Sequence, residues 1–294
     1  MDTSSNKSIS VKSMVYVSVL MVALMMGVDC QADSSTDANT LGFLPADGPK
    51  VQWVFSGLIR SEQGQVLAYY FQIERVGHHF YSEARLFDAQ TKQVIFEDSS
   101  EATNNKPMGY RWKIGYAFMQ FNPINDSWVI AVKNQKKQGF NFKVDMLKPG
   151  MIDAKSALRY PGITAAIWQA NALNGHVRVG KMDTFVTAKH TLFRQMSTME
   201  AQVSADYAVN GMMCEFDNGK NVSSLSSPEI DGTHAALRLK QDVQGSWDIR
   251  ALSSLHLILS RYTKQRTLMA GFVEGKPAAG FCVLSQANLN RHVS

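Results

Sequence analysis

The sequence predicts an all-β protein: two antiparallel barrels or sandwiches packed together, with few helices. Three observations carry this. Aromatic and β-branched residues recur at every second position over long stretches, the period of a strand with one buried face. Polar or glycine-containing turns interrupt the alternation roughly every 8–12 residues. The links are short, which favours antiparallel pairing, because a parallel crossover needs a dozen residues or more.

The alternation starts after a Ser-, Thr-, Asp- and Gly-rich leader, residues 33–48. Trp53, Phe55, Gly57 and Ile59 alternate first, then a turn at Glu62-Gln63-Gly64-Gln65, then Leu67, Tyr69, Phe71 and Ile73. After the turn Val76-Gly77-His78-His79, a third strand is predicted from Phe80 to Phe87 and a short fourth from Gln93 to Phe96, followed by a polar loop from Asp98 to Gly109. Tyr110 to Phe121 reads as one strand, with Trp112, Ile114, Tyr116 and Phe118 on one face. Pro123 ends it, having no N–H for a ladder. Trp128, Ile130 and Val132, then Phe140, Phe142, Val144 and Met146, complete about seven strands in an N-terminal β-domain, 49–148.

Pro149-Gly150 opens an expected linker, 149–162, in which Ala154 to Tyr160 is expected to make one helical turn. The C-terminal β-domain, 163–294, repeats the short-strand pattern, with a hairpin turn at Asp217-Asn218-Gly219-Lys220. Met196 to Val209 carries no assignable pattern. Ser127-Trp128-Val129-Ile130 and Ser246-Trp247-Asp248-Ile249 echo each other, as two related β-domains or coincidence would allow.

The N-terminus reads as a Sec-type signal peptide, residues 1–32. Lys7 and Lys12 form a basic region before the uncharged run Met14 to Val28, and Cys30-Gln31-Ala32 offers a cleavage site. As a helix that run is about 22 Å long, short of the roughly 30 Å hydrocarbon core. An uncleaved anchor and an acylated Cys30 are the competing readings. No later stretch is apolar enough to span a bilayer as a helix, so the mature chain is expected to be soluble, and the signal is expected to export it to the periplasm or beyond. Loss of 1–32 removes Lys7, Lys12, Asp2 and Asp29 and leaves the net charge of +5 unchanged. The basic residues are scattered apart from Lys133, Lys136 and Lys137, read as a solvated turn, which argues against nucleic acid as partner. Cys214 and Cys282 remain in an oxidising compartment, where a disulfide competes with two buried thiols.

Val51-Gln52-Trp53-Val54-Phe55-Ser56-Gly57-Leu58 followed by Tyr69-Tyr70-Phe71-Gln72 resembles the opening hairpin of the AttH/CrtC-like (carotenoid 1,2-hydratase-related) lipocalin-like proteins. So does Leu173-Asn174-Gly175-His176-Val177. The resemblance covers residues 50–200 and implies two calycin-like barrel halves. Hydratase-like members carry a Trp-rich segment with adjacent Asp, His and Glu after the Gly-His strand. Here Thr187 to Gln195 holds His190 and no acidic residue. Hydration needs a proton donor and a water-positioning base in one pocket. The resemblance therefore does not carry the hydratase activity over.

No sequence pattern names a reaction. There is no Gly-x-Ser-x-Gly elbow, no phosphate-binding glycine loop and no metal signature; His78-His79 reads as a surface turn, and no cofactor is expected. His176 and His190, on neighbouring predicted strands, are candidates to face one cavity. Lys189, His190 and Arg194 interrupt an apolar strand, either as an outward polar face or as inward cations for an acidic headgroup, where arginine is the better fork. Tyr70 and Trp168 are candidate aromatic contacts. The leading expectation is an exported protein binding an apolar, lipid- or isoprenoid-like molecule through Tyr70, Trp168, His176, His190 and Arg194. The alternatives are an enzyme on the same scaffold (hydratase, isomerase or hydrolase) and a secreted effector acting through its surface.

Overall fold

A computed structural model describes residues 50–103, 111–146, 156–160, 163–198, 210–226, 237–241, 246–251, 255–265, 268–276 and 278–285. The expected signal peptide and leader lie outside them. Every regular element among the described residues is a strand, and every pairing is antiparallel.

The first sheet opens with a meander of long strands: β1 (Lys50–Ser61), β2 (Val66–Val76), β3 (His79–Asp88) and β4 (Gln93–Thr103). A second meander follows, β5 (Arg111–Ile114), β6 (Ala117–Asn122), β7 (Ser127–Lys133) and β8 (Gly139–Asp145). Then come β9 (Ser156–Tyr160), β10 (Ile163–Ala170), β11 (Ala172–Val179), β12 (Met182–Ala188) and β13 (Thr191–Thr198). The order is β4-β3-β2-β1-β12-β11-β8-β7-β6-β5, with β13, β10 and β9 branching from β1. The ends approach one another, for Ser82 Oγ on β3 donates to the Ile114 carbonyl on β5 at 3.4 Å. The result is a nearly closed barrel.

Aromatic rings fill it. Trp53 lies 4.8 Å from Trp112 between centroids, Phe140 stacks on Phe142 at 4.4 Å and Phe55 on Phe193 at 4.5 Å. All of them are buried. Offset and edge contacts at these separations add to the gain from burial, so this interior is packed core.

The second sheet contains β14 (Asn210–Phe216), β15 (Asn221–Ser226), β16 (Leu237–Gln241), β17 (Trp247–Ala251), β18 (Leu255–Gln265), β19 (Leu268–Lys276) and β20 (Gly280–Ser285). Its order is β15-β14-β20-β19-β18-β17-β16. One face packs on itself through Met212, Cys214, Leu257, Met269 and Leu284. The other meets the outside of the barrel, where Met213, Ala270, Phe272, Phe281 and Val283 press on Val54, Tyr70, Phe87 and Leu192. Burial on both faces explains why β20, GFCVLS, is buried throughout instead of alternating. Cys214 and Cys282 sit directly opposite on β14 and β20 and are bridged, so the disulfide reading holds.

Three local expectations are corrected. Residues 111–122 form two strands: Gly115, at φ 55°, makes a turn that shifts the phase. Ala117, Met119 and Phe121 then face the core, and Tyr116 is exposed. The polar stretch after Asp98 is ladder, because β4 follows β3 as far as Thr103 and pairing overrides weak strand propensity. Part of the segment expected to turn helically is β9, paired to β10. The chain passes between sheets after β13, so β9 to β13 belong with the first sheet although they follow the expected linker.

Candidate functional site

The seam between the sheets holds the polar chemistry, and β1 creates the opening for it. Lys50 to Ser56 pair with β13, whereas Arg60 and Ser61 pair with β12. Between these two ladders the chain has unpaired backbone groups that need partners. The Ser56 carbonyl accepts from Thr191 Oγ1 at 2.8 Å, and the Leu58 amide donates to Glu215 Oε2 at 3.0 Å. Glu215 arrives from β14 of the other sheet. Tyr69 reaches out of the barrel to Thr191 Oγ1 at 2.6 Å; since Thr191 gives its proton to Ser56, Tyr69 is the donor there. Gly57 leaves the space, because a Cβ there would lie 2.7 Å from Glu215 Oε2 and 2.8 Å from Thr191 Oγ1.

His190, between β12 and β13, places Nε2 3.4 Å from Glu215 Oε1. Burial pushes the Glu215 carboxyl up to about 7, against the stabilising pull of the Leu58 amide. The same burial drives Tyr69 far above the usual phenol range, with Glu215 adding to the effect. At neutral pH Glu215 is thus poised between acid and base, with an imidazole alongside.

Arg194 lies deeper in the seam and is buried. It donates to Gln52 on its own sheet and to Ser285 on the other, clasping the two. Burial lowers its pKa to about 10, with the Glu74 carboxylate and Tyr70 opposing, so it stays charged at neutral pH. Tyr70 donates to Glu83, which pairs with Arg85 Nε at 2.9 Å; the Gln72 carbonyl is 3.0 Å from the same hydroxyl.

Beside these groups the seam opens into a cleft of about 590 Å³. Leu58, Val66, Ala89, Phe272 and Val273 give it an apolar lining, and Gln63, Gln65 and Gln90 stand among them. Lys92 and Asp217 also line it, Lys92 being ion-paired to Glu274. Leu58 links cleft and carboxyl, since it lines the one and its amide holds the other. A second recess of about 370 Å³, lined by Gln72, Tyr81, Glu83 and Ser99, is polar.

The structure separates the predicted site residues. Tyr70, His190 and Arg194 come to the seam. Trp168 packs inside the barrel, its ring 5.3 Å from Phe193. His176 is on the outer barrel face, 3.1 Å from Asp183. Lys189 is exposed. Sequence reasoning missed Glu215, Tyr69 and Thr191. The acidic residue absent from 187–195 is supplied in space by Glu215, whose one sequence signal is a charge inside the apolar run Met212-Met213-Cys214-Glu215-Phe216. Among the described residues no three His, Cys, Asp or Glu gather as metal ligands.

A crystal structure of a protein named as a putative AttH from Nitrosomonas europaea superposes with a TM-score of 0.56, at 12% identity, over 84% of this chain and 95% of that one. The chain shares the fold of that structure. Kievitone hydratase from Nectria haematococca superposes at a TM-score of 0.52, with 8% identity, over 84% of this chain and 91% of that one. No family model and no curated protein matches the sequence. The lipocalin-like two-sheet architecture is therefore shared with AttH-like and hydratase structures at a distance where sequence similarity has faded.

Proposed function

We propose that the protein binds an apolar small molecule in the seam cleft, in an exported location. The observation that carries this is the apolar-lined 590 Å³ opening beside a barrel already filled by its own rings. Ligand pockets of this kind are concave, mostly apolar and carry a few polar groups that fix orientation. The three glutamines, Lys92 and Asp217 are those groups. The Cys214–Cys282 bridge fits an oxidising compartment. Titration with 1-anilinonaphthalene-8-sulfonate is expected to saturate at one site. Ala89→Trp, which fills the cleft, is expected to abolish the signal and Phe272→Glu to weaken it at least tenfold. Unchanged binding by Ala89→Trp would refute the assignment.

A second reading, chemistry on the bound molecule, is favoured by Glu215. Adding or removing water across a double bond requires one proton given and one taken. A carboxyl held near neutrality against His190 supports both transfers. The fold is also that of a protein named as kievitone hydratase. Incubation of kievitone and small isoprenoid alkenes in heavy water tests it. The expected result is deuterium-labelled hydrate with the wild type and none with Glu215→Gln. Equal labelling by both would remove Glu215 from the reaction.

A further inference from the structure

We infer that the outer face of the barrel formed by β5, β6, β7, β8, β11 and β12 is a docking surface for an acidic polysaccharide. The basic residues look scattered along the chain, but strand register collects them. Lys113 of β5 lies beside Phe118, then Ala131, Asn141, His176 and Phe185 on successive strands. The parallel row holds Arg111, Gln120, Val129, Lys143, Asn174 and Thr187, and continues to Arg60 on β1. At the end of the face, Lys133 and Arg178 flank Gly139. Alternation turns these side chains outward, because their neighbours Trp112, Met119, Ile130, Phe142, Val177 and Val186 are core.

The charge balance is one-sided. Against Arg60, Arg111, Lys113, Lys133, Lys143 and Arg178 the same strands present Asp183 and Asp145. Asp183 is shared between His176 at 3.1 Å and Arg178 at 3.5 Å. Lys143 has Val129 and Asn174 as register neighbours, and neither is an anion. The lysine-bearing turns 134–138 and 180–181 extend the positive field at one rim.

The other side chains select the partner. Asn141, Asn174, Gln120 and Thr187 are exposed. Amides and hydroxyls of this kind pair with sugar hydroxyls as donor and acceptor together. Phe185 is 40% exposed, and Phe118 carries the Arg111 guanidinium 5.3 Å above its ring. Phe185 offers a flat apolar patch to the C–H face of a pyranose, and Phe118 holds the Arg111 guanidinium at the surface. Six strands at ~4.8 Å spacing make the rows about 24 Å long, enough for several sugar units. An amide-rich face would lose hydrogen bonds against lipid tails. A carboxylated or sulfated polysaccharide satisfies cations, amides and rings at once.

Calorimetric titration of the full chain with sodium alginate tests this, with neutral dextran and with vesicles of equimolar phosphatidylcholine and phosphatidylglycerol as comparisons. Alginate is expected to bind and dextran not. Affinity is expected to fall at least tenfold between about 50 and 200 mM salt, through counterion release. Arg111→Glu and Lys143→Glu should each weaken alginate about tenfold. Lys220→Glu, the same charge change on the exposed β14–β15 turn of the other sheet, should leave it unchanged. Phe185→Ala should weaken binding with no change in salt slope. Equal loss in Lys220→Glu would reduce the effect to net charge, and vesicle binding without alginate binding would replace the glycan by a membrane. Either result, or salt-independent binding by the wild type, overturns the inference.

Discussion

Burial favours the neutral form of Glu215, against the pull of the Leu58 amide, and its proton affinity is therefore a stability statement. The folded value is about 7 and the ordinary one 4.5. Between those values the folded chain holds a proton that the unfolded chain releases, so stability is full below about pH 4.5 and falls as pH rises towards 7. His190 and Tyr69 are the titratable neighbours. In urea titrations at pH 4.5 and 7.5, Glu215→Gln is expected to remove roughly 2–3 kcal/mol of this pH dependence relative to the wild type. Identical slopes for the two proteins would mean that the carboxyl is solvated. Arg194 is the opposite case, a cation that keeps its charge because Gln52, Ser285 and Glu74 surround it. Arg194→Met removes the donor to Gln52 and Ser285 and the charge near Glu74, and is expected to cost ~2–4 kcal/mol in chemical denaturation. His190 and Arg194 were legible in the sequence as polar interruptions of an apolar strand. Glu215 was not, because its partners Leu58 and His190 are distant in the chain and meet it through sheet packing alone.

Among the elements, β1 does the most to shape the site. It changes partner from β13 to β12, and the residues between the two ladders hold the carboxyl from the other sheet. Gly57 makes this possible without an unusual backbone angle; it is needed for the room it leaves. Gly57→Ala puts a methyl where Glu215 Oε2 and Thr191 Oγ1 now lie, and is expected to lower stability by about 1–3 kcal/mol and to displace the carboxyl from the Leu58 amide. Thermal melts and the hydrogen-exchange protection of the Leu58 amide measure both effects, and retained protection would show that Glu215 has another way in. Alternation of aromatic and β-branched residues located β1, β2, β3, β7 and β8; in β7 and β8 it is the mark of one buried face, whereas β1 and β2 are buried on nearly every residue because the second sheet covers their outer side. It failed at residues 110–121, where the Gly115 turn shifts the phase while the aromatic spacing continues unbroken. It failed again at β4 beyond Asp98, whose polar residues are kept in register by β3.

At the scale of the whole molecule, two sheets share a wall of Val54, Tyr70, Phe87, Leu192, Phe272 and Phe281. The fold class was readable because it depends on period and turn spacing. The allocation of strands to sheets was not, because β13 joins the first sheet through β1, a pairing that no local signal announces. The bridge between Cys214 and Cys282 ties strands separated by 68 residues in the chain. Replacing both cysteines by alanine is expected to lower the urea-derived stability by ~4 kcal/mol, and a much smaller loss would point to residual structure in the unfolded chain. The indoles of Trp53, Trp112, Trp128 and Trp168 all sit within the barrel, each no more than 3% exposed. Ultraviolet emission from these four should therefore be blue-shifted in the native state and should report the melting of that half of the molecule. With Trp53 and Trp112 so close, excitation energy should pass between them and depolarise the emitted light.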